Sequence, residues 1–132
     1  MKESKTKERE NLMKIAGWIM TGLLVLFMLG ASATPKFLNL EAAITSMNDL
    51  GWSPDYLLLL GVLEVVLTIL FVIPKTGFLG AILLTGLYGG AMATNLRVGN
   101  PLFSFTLFPL YLGIFMWISL WLRDERLRAY LV

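Results

Sequence analysis

The sequence contains no cysteine and no histidine. That double absence excludes thiol catalysis, disulfides, Cys/His zinc sites and histidine-ligated haem in one step. It also leaves cysteine usage silent about redox compartment. Charge is scarce as well: Asp, Glu, Lys and Arg make up 15% of the 132 residues, against about 25% in an ordinary soluble domain. No basic patch with interleaved aromatics exists, so nucleic acid is not an expected partner.

What is present is apolar. Hydrophobic residues make up 57% of the chain, more than a small soluble domain can bury. A polytopic membrane protein follows, with the lipid bilayer as its surroundings. Four segments meet the length of about 20 apolar residues that a span requires: 15–33, 55–73, 77–95 and 102–122. Pro35-Lys36, Pro74-Lys75 and "NLRVGNP" (95–101) break the runs between them. Three residues between spans two and three impose a tight antiparallel hairpin. Ser53 and Pro54 read as N-cap and first helical position of span two. The long link 33–53 carries Leu38, Leu40, Ala43, Ile44, Met47 and Leu50 at near-helical spacing, with Glu41, Ser46 and Asp49 opposite, which predicts a short amphipathic surface helix. The expected fold is an all-α polytopic membrane protein: one transmembrane domain over 1–132, an antiparallel four-helix bundle, and a solvated leader at 1–11.

Charge placement orients it. Lys2, Lys5, Lys7, Arg9, Lys14, Lys75, Arg123, Arg126 and Arg128 fall on one side; Lys36 and Arg97 fall on the other. The positive-inside rule then puts both termini in the cytoplasm and the protein in the cell membrane as a multi-pass protein. The start of the chain also imitates a signal peptide ending in "GASA" (30–33), but its apolar stretch is too long for a usual h-region.

Bundles in lipid pack through small residues. Gly17, Thr21 and Ser32 in span one and Gly61, Glu64 and Thr68 in span two form inward stripes. Span three offers Gly77, Gly80, Ala81 and the GxxxG pair Gly86 and Gly90, which predicts internal packing there, with a homodimer face as the alternative. Pro109 should kink span four.

Glu64 is the only charge in "LLLLGVLEVVLTILF" (57–71). It lies roughly 14 Å from the outer end of its span, at 1.5 Å per residue. A carboxylate at that depth is either functional or neutral bundle glue. Arg97, at the outer end of span three, is the expected partner. It would reach Glu64 directly if span three breaks near Thr94-Asn95, or otherwise through water or ligand. Lys36, Asn95, Asn100 and Tyr88 complete the polar groups of the outer half. With Glu64 and Arg97 they predict an outward-facing pocket, basic at the mouth and acidic at the base, suited to an amphiphile with an anionic or carbonyl head. For Lys36 and Arg97, simple interfacial snorkelling is the alternative.

The order of spans, Lys36, Glu64 and above all "GLYGGAMATNLRVGNPLFSFTLFPLYLGIFMWISLWLRDERLRAYL" (86–131) resemble the DoxX-like family of small four-helix membrane proteins. Gly89, Gly90, Ala91, Ala93, Thr94, Arg97, Gly99 and Pro101 match the family pattern. Asn95 stands where the family commonly has histidine, which removes support for proton transfer or metal binding there and leaves a hydrogen-bonding role. The resemblance implies the fold and, more loosely, an association with membrane redox complexes or with maturation of other membrane proteins.

Three function classes follow. The first is a non-catalytic membrane subunit or assembly factor of a redox-linked complex, working with partner subunits or as a homo-oligomer. The second is a binder of a quinone-like or lipid ligand around Glu64 and Arg97, with no other cofactor expected. The third is an enzyme, which one carboxylate, one arginine and a tyrosine support poorly.

Overall fold

The structure, a computed structural model, describes residues 2–131. Among these the chain is helical with no strand. Helix α1 (Lys2–Leu26) continues into a π-helical segment (Phe27–Ala33) and the single turn α2 (Thr34–Phe37). Helix α3 (Glu41–Asp49) is the short amphipathic helix expected between spans one and two. Its Met47 is buried, whereas Leu38 and Leu40 lie outside it and are exposed. A 3₁₀ turn (Pro54–Tyr56) leads into α4 (Leu57–Val72), with Ser53 capping as its sequence predicts: its hydroxyl accepts from the Asp55 N–H. Helix α5 (Gly77–Arg97) is followed by a second π-helical segment (Leu102–Thr106), then α6 (Phe108–Arg123) and α7 (Glu125–Leu131).

Four helical runs are long and apolar enough to cross a membrane: Lys2–Phe37, Pro54–Val72, Gly77–Arg97 and Leu102–Arg123. Pro109, the expected kink residue, falls near the start of the last. It stands in the first turn of α6, where its missing N–H costs nothing, and the run changes from π to α just before it. Burial is inverted relative to a soluble protein. Leu58, Leu59, Val62, Val66 and Ile69 of α4 are exposed, while Thr21, Glu64, Thr68, Ser119 and Arg123 are buried. Apolar side chains outward and polar ones inward is the arrangement a bilayer demands. The chain is an all-α polytopic membrane protein.

The spans close a ring: α1 packs on α6, α6 on α5, α5 on α4, and α4 on the π segment after α1. Both terminal regions lie at one end, where Lys14 Nζ meets Glu125 Oε1 at 2.6 Å. We call that half of the bundle proximal and the half bearing α3 distal.

The proximal half is tightly built. A Cβ on Gly17 would come 2.6 Å from the Arg123 backbone nitrogen, and one on Gly80 would strike that of Phe71. Only glycine lets these backbones approach so closely. The last carbonyls of α4, which have no partner within the helix, are claimed from outside it. Thr76 Oγ1 donates to Leu70 O at 2.8 Å, and the Arg123 guanidinium donates to Phe71 O. Arg123 also donates to Thr21 Oγ1 at 3.1 Å and lies over the rings of Trp18 and Phe71. A cation at a helix C-terminus is favoured by the helix dipole.

The packing expected of the GxxxG pair is not found. A Cβ on Gly86, Gly89 or Gly90 would meet nothing within 4 Å. No neighbouring backbone comes close enough to use these glycines.

Candidate functional site

In the distal half, Glu64 has a partner, and it is not Arg97. Glu64 is 7% exposed, and Lys36 Nζ stands 2.7 Å from its Oε1. The ammonium also donates to Ser32 O at 3.1 Å and to Ser32 Oγ at 3.0 Å, and the Ser32 hydroxyl donates to Glu64 Oε1 at 3.1 Å. Three ammonium protons therefore have three acceptors. Two local features bring Lys36 here. An α-helix advances about 100° per residue. A π segment advances less, because each bond spans an extra residue, so its seven residues lag by roughly a quarter turn. Ser32 within it and Lys36 just beyond it share the face of span one that meets α4. Gly61, one turn before Glu64, then lets the lysine's turn settle onto α4: a Cβ there would already touch Lys36 Cβ and the Phe37 ring at 3.4 Å.

Helix α5 does not break early; it continues through Arg97. Arg97 is exposed and its Nη2 donates to Leu50 O at 2.9 Å, capping the C-terminus of α3. Gly51, at φ +80°, turns the chain out of that helix in the left-handed region that only glycine enters freely. The bonds Gly51 N–H to Asn48 O and Trp52 N–H to Met47 O complete a Schellman end. Gly99, at φ +77°, ends α5 in the same way. Asn95 Nδ2 donates to Ala91 O at 2.8 Å, and Asn100 Nδ2 donates to Asn95 Oδ1 at 2.7 Å. Tyr88 is buried, and its hydroxyl donates to the Met28 thioether at 3.3 Å.

Between these elements lies a cavity of about 580 Å³, within the range of small-molecule pockets. Lys36, Glu64, Ser32, Tyr88, Thr94 and Asn95 give it its polar groups. The rest of the wall is mostly apolar and includes Phe27, Met28, Leu60, Leu87, Phe108 and Leu112. Met47, Leu50 and Trp52 cover the α3 end. Ala31, Gly86 and Gly90 line the cavity and are also exposed, so it reaches the flank of the bundle. The GxxxG pair thus bounds open space instead of a helix contact. Of the six site residues picked from the sequence, Glu64, Lys36, Tyr88 and Asn95 converge on the cavity, while Arg97 and Asn100 stand outside its lining.

Ser32 is a polar cavity residue that sequence reasoning placed only as a packing residue. Its signal was its position four before Lys36, which on a helix makes the two neighbours. Among the described residues no group of three or more acidic side chains is placed to hold a metal ion.

No curated protein and no solved structure matches the chain. A family model described as the DoxX-like family matches residues 19–119, which includes the Lys36–Glu64 pair and the cavity wall. The chain belongs to the DoxX-like family of integral membrane proteins.

Proposed function

We propose that the protein binds an uncharged amphiphile, quinone-like or lipid, in the distal cavity. The observation that supports this is a mostly apolar space of about 580 Å³ bounded on one side by the Lys36–Glu64 ion pair. Glu64, Lys36, Tyr88 and Asn95 would face the head of the ligand. Arg97 and Asn100 would act at one remove, Arg97 by fixing the cover that α3 forms and Asn100 by holding the Asn95 amide.

The pairing of Lys36 with Glu64 argues against the anionic head that a basic mouth suggests. The pair is neutral overall, and a second buried anion would lack a counter-charge. A carbonyl or hydroxyl head carries no such cost. The ligand would come from the bilayer, because the cavity reaches the flank of the bundle and α3 covers its end.

We place both termini in the cytoplasm and the whole of 1–132 in one transmembrane unit of the cell membrane, on the nine-to-two division of Lys and Arg between the two ends. A non-catalytic subunit or assembly factor, the other function expected from the sequence, is favoured by no comparable feature among the described residues; lipid contact accounts for the exposed apolar flanks.

Native mass spectrometry of the full chain, extracted from its own membrane in mild detergent, tests the binding reading. One retained small molecule of defined mass is expected, and Gly86→Leu with Gly90→Leu should expel it while the protein stays folded. A wild-type spectrum of bare protein, with no thermal shift on adding quinones or neutral lipids, would sink the proposal.

A further inference from the structure

The hydrogen-bonding capacity left over at the site says more about the head. The Lys36 ammonium is fully committed, and the Ser32 hydroxyl both accepts from Lys36 and donates to Glu64. The Asn95 amide donates to Ala91 O and accepts from Asn100. All these groups are engaged inside the protein. Glu64 is not: its Oε2 is buried without a hydrogen-bond partner among the described residues, although Glu64 lines the cavity. An unmet buried acceptor is costly, more so on a carboxylate. The terminal torsion of glutamate is soft, so a small turn presents Oε2 to the cavity while Oε1 keeps Lys36.

We infer that the site selects a neutral head bearing a hydroxyl donor, which Glu64 Oε2 accepts, over heads that only accept. This rests on the binding reading above. Two sources share that chemistry, a lipid alcohol on an isoprenoid or acyl tail and the reduced, hydroquinone form of a quinone-like molecule. A fully oxidised quinone has only acceptors and leaves Glu64 Oε2 unmet; the donors that could serve it are the Tyr88 hydroxyl, held only by a thioether, and the Trp52 indole N–H at the α3 end.

The test is binding to the full chain in nanodiscs, with probes sharing one isoprenoid tail: the alcohol, its methyl ether, the carboxylic acid, the hydroquinone kept reduced, and the hydroquinone's dimethyl ether. Wild type should prefer each hydroxyl compound over its ether by about tenfold or more, the discrimination expected of a hydrogen bond to a charged group. It should bind the carboxylate least. Whichever hydroxyl compound binds tighter identifies the source. Glu64→Gln keeps an acceptor for Lys36 and puts an N–H₂ donor at the other position. It should bring the hydroxyl-to-ether ratio close to one and raise affinity for the carboxylate, because Lys36 loses its counter-charge. A role for Glu64 confined to holding the helices together would leave the ratio unchanged. Equal wild-type binding of alcohol and ether, or a ratio that survives Glu64→Gln, overturns the inference while leaving the cavity a binding site. Binding of no probe at all overturns both.

Discussion

The two halves of this bundle solve opposite problems with the same residue type. In the proximal half, Gly17 and Gly80 disappear into contacts where a single methyl group would strike a neighbouring backbone. In the distal half, Gly86, Gly89 and Gly90 face nothing. The proximal segments are regular α, and the two π-helical segments, Phe27–Ala33 and Leu102–Thr106, belong to the distal half, the first of them packed on α4. Each half has a cation turned inward, Arg123 buried and Lys36 half-buried. Arg123 ties three helices with bonds to Thr21 and Phe71 O, whereas Lys36 serves one carboxylate beside a cavity. Small residues in a membrane helix therefore signal close packing only where a partner backbone comes near; elsewhere they mark space.

The contrast can be broken at several points. The largest effect is expected from Lys36→Met, which leaves the Glu64 carboxylate buried and uncompensated, at a cost of about 3–5 kcal/mol. Thermal melting in nanodiscs should show a large drop, mostly restored in the double variant Lys36→Met with Glu64→Leu. A double variant as unstable as the single one would mean that the pair is not what the loss reports. Next comes the glycine comparison. Gly80→Ala forces Phe71 to move and should cost about 1–3 kcal/mol, the range for overpacking. Gly90→Ala, made into open space, should leave the melting temperature level or slightly higher, since alanine is the better helix former. Equal losses in the two would erase the distinction between the halves.

A smaller change is expected from Arg97→Gln, which removes the cap on α3, at about 1 kcal/mol or less for one exposed bond. Hydrogen exchange should rise in α3 and leave α1 and α6 unaffected. The smallest effect belongs to Lys14 and Glu125. The Lys14 ammonium, by hydrogen bond and then by charge, holds the Glu125 carboxyl below its ordinary value. A depressed carboxylate stabilises above its unfolded pKa and loses that contribution as pH falls through the folded one. Glu125→Gln should thus melt slightly earlier at neutral pH and coincide with wild type in acid; a difference that persists in acid would refute the assignment.

Most of the fold was legible because bilayer length, proline breaks and a capping serine are local signals. Glu64 was legible as an anomaly for the same reason. Its partner was not. Lys36 stood among the polar groups gathered around Glu64, but spacing within span one gives no distance to span two, and the π segment packed on α4 leaves no periodicity to read. Arg97 looked nearer because α5 was allowed to break at Asn95, whereas the Schellman end at Gly99 lets it run on. The GxxxG pair misled for the converse reason, since its meaning depends on a neighbour's path. Arg123 counted only as an interfacial charge, because nothing local says that Phe71 O and Thr21 will meet it.

The ion pair has one more consequence, and it concerns voltage. A single elementary charge moved across a membrane exchanges about 2.3 kcal/mol per 100 mV. Opposite charges 2.7 Å apart sit at nearly the same depth, so the field's pull on one cancels its pull on the other. The buried site therefore offers the membrane potential almost no handle. On the binding reading proposed above, occupancy of the cavity should follow the composition of the surrounding leaflet, whether or not the membrane is energised.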